Sequence, residues 1–295
     1  MSTVAQLINR TQRQLLSGIV EQRNKLSSTI TASGTSVTVD YALDSLRVGQ
    51  TFEIDAELFY IWAADTTTRA LTVERGWNGT TAAAHTAGAI LTVNPRFPRN
   101  QIFEAFNDEL QDLSSPLNGL FQVKTFDIAY NGNDVMLNIP AVKSIIDLIS
   151  VSLRHIATDY PLIRKVKLVR DLPTDDFSST YAIKFEENTI SGRLRVVYKT
   201  EFTPLTLESE SFETNAGLPL SCEDIIVLGT QIRMIAPRET KRSFSESQGD
   251  TRRPEEIPVG GVSGTLTNLR ALKRDRIQAE AAKLTRQYPT FISRV

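Results

Sequence analysis

The spacing of apolar residues changes several times along this chain, and that spacing constrains the fold more than any short motif does. At the start, apolar residues recur every three, four or seven positions, which predicts an amphipathic helix over residues 4–27. From Ser28 to Asn94 the pattern changes to short β-branched and aromatic runs such as SVTVD, QTFEID and LFYIWAA. Their lengths and their Gly, Asp, Asn and Thr boundaries predict a small β module over 28–97.

A second helix and a second β region follow in the same order. Pro98 opens a helical pattern whose apolar stripe ends before Gly119, which predicts a helix over 98–120. Residues 121–220 then return to alternating runs, such as VKLVR and LRVVY, which are separated by polar turns. Six or more such runs predict a larger antiparallel β-sandwich.

The last quarter of the chain is predicted to be mostly helical. Ser221, with Asp224 three residues later, has the pattern of a capping box for a helix over 221–237 that ends at a proline. The charged, turn-rich stretch over 238–263 is expected to be a flexible arm. A basic helix over 264–295 closes the chain.

These segments together predict an α+β fold, in which amphipathic helices accompany a small inserted β-barrel-like module and a larger antiparallel β-sandwich. The formal net charge of −1 gives no overall bias toward nucleic acid or anionic membranes. No stretch of 18 apolar residues occurs, so we expect no transmembrane helix, and the first residues lack the pattern of a signal peptide. The single cysteine, Cys222, excludes an intrachain disulfide and favours use in a reducing compartment.

The segment RGWNGTTAAAHTAG, residues 75–88, is rich in glycine and contains His85, one of only two histidines. Its glycines lack the GxGxxG spacing of a dinucleotide-binding loop, and the chain has no Gly-Lys-Ser/Thr of a P-loop. His85 has no histidine or cysteine close to it in the sequence with which it would bind zinc. Because Asn78-Gly79 is a strong turn dipeptide, we interpret the segment as a long turn between two strands.

No residue pattern indicates an active site. Cys222 stands at a predicted helix start without an obvious partner base. Glu104 and Asp108 are the residue types of a glycosidase acid/base pair, so an enzyme of that kind is one class to weigh. Two carboxylates on one helix face are, however, the usual pattern of a solvated or partner-facing surface. We therefore expect no catalytic residue, no metal site and no cofactor.

Charge is separated along the chain, and this separation is the feature that most clearly points to partners. Residues 264–295 contain seven basic and two acidic side chains, an excess of +5, which leaves −6 for the rest. The helix predicted over 98–120 carries Glu104, Asp108 and Asp112 at intervals of four residues. We expect these three carboxylates to form an acidic face between subunits, and the basic helix to meet an acidic surface or DNA.

Several stretches resemble virion proteins of tailed bacteriophages. The stretch LTVERGWNGTTAAAHTAGAILTVNP is similar to a small β module that recurs in those proteins. The next stretch, NPRFPRNQIFEAFNDELQDLSSPLNGLF, resembles the helix that follows it in head-to-tail connector, or adaptor, proteins of long-tailed phages. The stretch GLPLSCEDIIVLGTQIRMIAP resembles a connector helix as well, and the basic C-terminal helix ending in RQYP fits the same pattern.

This resemblance implies a structural protein without enzymatic activity. Adaptors form a ring, here expected to be a dodecamer, that docks on the portal protein and passes the genomic DNA without sequence-specific contacts. The tail side would contact a neck or tail-terminator protein. The resemblance places the chain in the virion neck after assembly in the host cytoplasm, with no membrane partner.

Within this hypothesis the basic C-terminal helix is the expected portal-docking element, because it combines positive charge with an apolar side. The residues assigned to docking are Leu269, Arg270, Lys273, Arg274, Arg276, Ile277, Leu284 and Tyr288. The alternatives for this helix are that its basic side is merely a solvated face and that the helix folds back onto its own β-sandwich.

A different class of function remains open, namely a receptor- or carbohydrate-binding component of a phage baseplate or fibre. Sugar sites commonly use exposed aromatic side chains, and Trp62 and Trp77 are the only tryptophans. Their positions in a strand-like run and a turn favour packing roles for both.

Overall fold

The computed structural model describes residues 2–115, 117–139, 145–154, 160–187, 191–247 and 261–292. They form a mixed α+β fold in which all strand pairs are antiparallel and the sheets include a curled half-barrel. The α-helices are α1 (Val4–Leu16), α2 (Arg99–Leu113), α3 (Glu223–Ser247) and α4 (Gly261–Gln287). The predicted α+β class is therefore confirmed.

Six strands in the first third of the chain form one sheet, with the order β1-β6-β3-β4-β5-β2. They are β1 (Arg23–Lys25), β2 (Ser36–Thr38), β3 (Thr51–Ile54), β4 (Glu57–Asp65), β5 (Ala70–Glu74) and β6 (Ile90–Val93). This six-stranded sheet has an apolar core of its own, which includes the stacked rings of Phe52 and Phe59.

The remaining strands form two sheets, with the orders β10-β9-β13-β7 and β11-β12-β8. The strands are β7 (Gln122–Tyr130), β8 (Met136–Asn138), β9 (Ile145–Arg154), β10 (Leu162–Ile163), β11 (Val166–Val169), β12 (Ala182–Phe185) and β13 (Gly192–Thr200). Side chains of both sheets belong to one hydrophobic cluster, so the two sheets share a core.

The first helix is shorter than the predicted span of 4–27. It begins with a capping box between Thr3 and Gln6 and ends at Leu16 because Ser17 adopts a left-handed conformation. The chain then enters the six-stranded sheet, where Leu26 is buried in the sheet core. The apolar spacing continued past Leu16 only because Ile19, which follows the helix end, and Leu26, which lies just after β1, happen to fall on the helical period.

The second helix connects directly to the six-stranded sheet. Pro98 occupies its N-cap position, and the backbone N–H of Arg99 donates to the Glu53 carboxyl of β3 at 2.6 Å. A buried side chain of the sheet therefore satisfies a backbone group that a helix start normally leaves unpaired. Burial raises the pKa of Glu53 to about 8.

The third helix contradicts two expectations. It continues through Pro237 to Ser247, so ten residues of the stretch expected to be a flexible arm are helical. A proline inside a helix removes one backbone hydrogen bond but does not prevent the helix from continuing. The rest of that stretch up to 260 lies outside the described residues, and α4 begins at Gly261.

The predicted capping box of Ser221 and Asp224 does not form. A short 3₁₀ turn, Leu220–Cys222, precedes α3, and the two side chains contact α4 instead. The Ser221 hydroxyl bonds to Glu280 at 2.9 Å, and Arg276 donates to Asp224 at 2.7 Å. Ser221 and Asp224 at the start of α3 therefore hold α4 in place and do not cap their own helix.

The four helices form a single apolar core. Buried side chains of α1, α2, α3 and α4 belong to one hydrophobic cluster, together with residues such as Phe212 from the segment between β13 and α3. We refer to this assembly as the helical core. Its fourth helix comes from the C-terminal segment, which packs on its own chain.

Candidate functional site

A charged cleft of about 700 Å³ lies between α2, α3 and α4, and we call it the helical cleft. Apolar side chains such as Leu117, Ile232 and Ile277 form part of its walls. Its charged side chains are Glu109, Asp112, Arg233, Arg270, Lys273 and Arg274. Four cations against two carboxylates make the cleft electropositive, although the chain as a whole is nearly neutral.

The base of the helical cleft is a fully buried carboxylate, Glu109 of α2. Lys273 of α4 lies 2.5 Å from its Oε1, and Nε of Arg233 on α3 donates to Oε2 at 3.2 Å. Burial raises the pKa of Glu109, whereas these two cations act to lower it. Three helices thus meet at one buried ion-pair network.

A glycine on α3 makes room for this carboxylate. A Cβ atom on Gly229 would lie 2.1 Å from Cδ of Glu109 and about as close to both of its oxygens. A side chain at position 229 would therefore displace the Glu109 carboxylate from its place between α2 and α3. Sequence reasoning missed both residues, although an acidic residue within the buried stripe of Phe106, Leu110 and Leu113 was a visible signal.

The three carboxylates expected to form an acidic face on α2 differ in their surroundings. Asp112 pairs with Lys273 at 3.2 Å inside the chain, so this residue meets the basic helix of its own subunit. Glu104 and Asp108 are exposed, and neither side chain forms an ion pair with a described residue. The prediction of an inter-subunit face therefore needs correction for Asp112, because the folding back of α4 supplies its cation.

The residues assigned to portal docking fall into two groups. Ile277 and Leu284 are buried in the helical core, with Tyr288 packed against it, and Leu269 is half-buried. Lys273 and Arg276 are engaged by carboxylates of α2 and α3. Assigning these interior side chains to a partner was wrong, because folding back onto the chain already buries the apolar side of α4. Arg270 and Arg274 are exposed and form no ion pair with the described residues.

The segment over 75–88 surrounds another buried acid, Glu57 of β4, and so does more than turn the chain. Nε and Nη2 of Arg75 donate to the two carboxylate oxygens at 2.8 Å each. The backbone N–H groups of Gly76 and Ala83 donate to the same carboxylate at 3.1 and 2.9 Å. These hydrogen bonds outweigh the burial of Glu57 and lower its pKa.

His85 completes this set of contacts. Its Nε2 lies 2.9 Å from Oε2 of Glu57 and its Nδ1 lies 3.0 Å from Asp55. Both ring nitrogens face carboxylate oxygens, so each makes a hydrogen bond when both carry a proton. Because the ring is 4% exposed, it holds the loop against β4 and offers no surface to a substrate.

The glycine of this loop has a steric role. Gly76 has a φ of +60°, and a Cβ there would lie 2.7 Å from the carbonyl oxygen of Thr80. The Arg-Gly pair and the later Ala and His of this loop therefore surround the Glu57 carboxylate with hydrogen bonds. The spacing of these residues in the sequence did not reveal this arrangement.

Cys222 has no feature of a nucleophile. The thiol is buried in the helical core, and burial together with the nearby Glu280 carboxylate raises its pKa to about 11. At neutral pH it therefore remains a protonated thiol.

Trp62 differs from the packing role predicted for it, because its side chain is 57% exposed on the outer face of β4. Trp77 is half-buried and stacks on Tyr60 with ring centroids 4.5 Å apart. The interpretation as a packing residue is therefore wrong for Trp62, while Trp77 does pack within the loop.

No protein family model matches this chain, and no curated protein matches it. Within the described residues, no helix has the length and apolar character needed to cross a membrane.

Proposed function

We propose that this chain is a head-to-tail adaptor of a tailed-phage virion, a non-enzymatic protein that forms a ring between the portal and the tail. The observation that carries the proposal is the construction of the helical core. Helices from both ends and from the middle of the chain pack together, and the sheets occupy the intervals between α1 and α2 and between α2 and α3. This order corresponds to the order of the stretches that resemble connector proteins.

In this proposal the helical core is the body of the ring. The six-stranded sheet is a small β-barrel-like module inserted between two core helices, and the other two sheets form a β-sandwich. Both would extend from the body toward neighbouring subunits or the tail-side neck protein. Each has a hydrophobic cluster of its own, as expected for a unit that projects from a common body.

Two exposed charge pairs support contacts between subunits. Glu104 and Asp108 are one turn apart on α2, and Arg270 and Arg274 are one turn apart on α4. A surface that is acidic in one place and basic in another favours a head-to-tail contact, and a contact of that type closes into a ring when its rotation permits. Each exposed pair would contribute under about 1 kcal/mol, but a ring repeats it at every interface.

The portal would meet the outer face of α4, since the apolar side of that helix faces its own core. That outer face includes the half-exposed Leu272. Genomic DNA would pass through the ring with non-specific contacts only.

The test is to express the full chain alone and together with the portal protein encoded by the same phage genome. Negative-stain electron microscopy and native mass spectrometry are expected to show a ring, and a ring bound to the portal in the co-expressed sample. A protein that stays monomeric at every concentration and never co-purifies with the portal would contradict the proposal.

A further inference from the structure

The outer face of the six-stranded sheet carries an exposed aromatic side chain on β4, at an irregularity of the strand pairing. Along β4 the pairing with β5 shifts between Ile61 and Ala63, so Trp62 is the extra residue of a β-bulge. Phe59 and Ile61 point into the core, whereas Tyr60 and Trp62 share the outer face. Bulges of this kind re-aim side chains and are frequent beside binding sites.

Three aromatic rings meet at this bulge, and we call them the aromatic platform. Tyr60 stacks on Trp77 from the 75–88 loop and meets the edge of Trp62 with ring centroids 4.8 Å apart. The indole N–H of Trp62 donates to Oε2 of Glu74 on β5 at 3.1 Å. An exposed tryptophan whose orientation is held by a ring contact and a hydrogen bond is pre-organised for a ligand.

The size of the aromatic platform favours a small ligand over a protein. Trp62 is 57% exposed and the other two rings are half-buried, so the three rings together expose roughly 250 Å². A stable protein interface buries about 800 Å² on each partner. The platform is therefore too small to hold a protein surface by itself.

The chemistry of the aromatic platform points to a neutral sugar. A pyranose ring has an apolar C–H face, which packs on an exposed aromatic ring, and a rim of hydroxyls, which donate to carboxylates and amides. Glu74 is an exposed acceptor beside Trp62, and Asn78 is an exposed amide next to Trp77. The Glu74 carboxylate repels anionic ligands, so acidic sugars fit the site poorly.

We propose that the aromatic platform of Trp62, Tyr60 and Trp77, with Glu74 at its edge, binds neutral oligosaccharides. The ligand lies along the outer face of β4 and β5, with one sugar ring on Trp62 and its hydroxyls toward Glu74. This assignment does not depend on the adaptor function, because it uses only the six-stranded sheet.

The chain provides its own reporter for this binding. Trp62 and Trp77 are its only tryptophans, so intrinsic fluorescence observes the platform alone. The full-length protein would be titrated with three probes, cellohexaose, the N-acetylglucosamine hexamer and a hexamer of galacturonic acid, and binding would be measured in parallel by saturation-transfer NMR. We expect a neutral hexasaccharide to change the emission and to receive saturation, and the galacturonate hexamer to do neither.

Two variants make the test specific. Trp62→Ala removes the exposed ring and should weaken binding at least about 10-fold, as measured by NMR and by the remaining Trp77. The matched control is Tyr41→Ala, which removes another exposed ring of the same region, 58% exposed, and should leave binding unchanged. Both variants should keep the melting temperature of the parent, because both side chains are on the surface.

Two results would overturn the proposal. They are no response to either neutral probe at millimolar concentration, and equal binding of the neutral probes by the parent and Trp62→Ala.

Discussion

At the scale of single residues, two buried carboxylates account for features that looked unrelated in the sequence. Glu57 explains why Arg75, Gly76 and His85 occur together in one loop, because all three donate to it or face it. Glu109 explains why α3 contains a glycine where it crosses α2. A buried carboxylate is stable only when hydrogen-bond donors or cations surround it. Each buried carboxylate therefore constrains which residue types can lie next to it.

The first prediction concerns Gly229. We expect Gly229→Ala to lower the free energy of unfolding by about 3 kcal/mol or more, because the new methyl group overlaps the Glu109 carboxylate and separates it from Lys273. Urea unfolding followed by circular dichroism measures this. Gly264→Ala in α4 is the control, since nothing lies within 4 Å of its Cβ position. That variant should be unchanged or more stable by up to about 1 kcal/mol, and an equal loss in both variants would contradict the explanation.

The second prediction concerns pH. The pKa of Glu53 rises from 4.5 to about 8 on folding, mainly by burial, so its neutral form is favoured in the native state. The resulting stability is complete below pH 4.5 and is lost as the pH rises through about 8. Glu53→Gln cannot titrate but still accepts the N–H of Arg99. We therefore expect the variant to gain stability relative to the parent between pH 4.5 and 8, by on the order of 3–5 kcal/mol at most.

The measurement is the difference in free energy of unfolding between parent and variant at several pH values. Taking the difference removes the titration of Glu57 and Glu109, which both proteins share. If the two proteins show parallel pH profiles, Glu53 is ionised in the native state and the prediction is wrong.

At the scale of elements, the 75–88 loop and α4 each depend on tertiary contacts more than on local sequence. The loop has little regular structure, apart from a short 3₁₀ turn, Trp77–Gly79, and its shape follows from the Glu57 cage. The helix α4 has an apolar side that fits the helical core and a polar side that forms ion pairs with α2 and α3.

The third prediction concerns the Glu57 cage. Arg75→Ala leaves a buried carboxylate without its bidentate partner, so we expect the six-stranded sheet to lose about 3–5 kcal/mol of stability. Thermal unfolding followed by the fluorescence of Trp62 and Trp77 reports on this sheet. Arg69→Ala, which removes an arginine whose side chain donates to the backbone carbonyl of Asp40, is the comparison and should have a smaller effect. Equal melting temperatures for Arg75→Ala and the parent would count against the cage.

The fourth prediction concerns removal of α4. A chain that ends at Gly264 should lose the cooperative unfolding of the helical core, because Ile277 and Leu284 leave it and Glu109 loses Lys273. Burial of these two apolar side chains contributes roughly 3–6 kcal/mol before the entropy cost of ordering the helix. The helical signal in circular dichroism should melt early, while tryptophan fluorescence still shows a folded six-stranded sheet. A truncated chain that keeps a stable helical core and loses only portal binding would restore the original docking hypothesis for α4.

At the scale of the whole molecule, the proposed ring depends on charges that the fold leaves on the surface. Because α4 folds back onto its own chain, Lys273, Arg276 and Asp112 form ion pairs within that chain. On α2 and α4, the exposed charged side chains that form no ion pair with a described residue include the arginines at 270 and 274 and the acids at 104 and 108. Substitutions that test assembly therefore belong at these four positions.

The fifth prediction is a charge exchange between subunits. Arg270→Glu with Arg274→Glu should prevent ring formation, and Glu104→Lys with Asp108→Lys should do the same, because each places like charges at the interface. An equimolar mixture of the two variants should recover rings, which native mass spectrometry would detect. The control is Arg10→Glu with Arg13→Glu on α1, which makes the same charge change at other exposed positions. This variant should still form rings. Assembly that is unaffected by both variants and by salt would disprove this interface.

By itself, the sequence determined the α+β class, the order of helical and β regions, and the approximate position of most elements. It did so because apolar periodicity is a local property that reports which face of each segment is buried. It determined less at segment ends, since Ser17 ends α1 by its own backbone conformation and Pro237 is tolerated inside α3.

Only the tertiary structure decided which surfaces those faces meet. An apolar stripe on α4 is equally suited to a partner and to its own core, and the choice depends on residues such as Glu109 and Asp224 that are distant in sequence. The same holds for the carboxylate cage of Glu57, whose donors Arg75, Gly76 and Ala83 are distant from it in the sequence. Long-range pairing of charges and strand register leave no periodic signal in the sequence, because they depend on which segments the fold brings together.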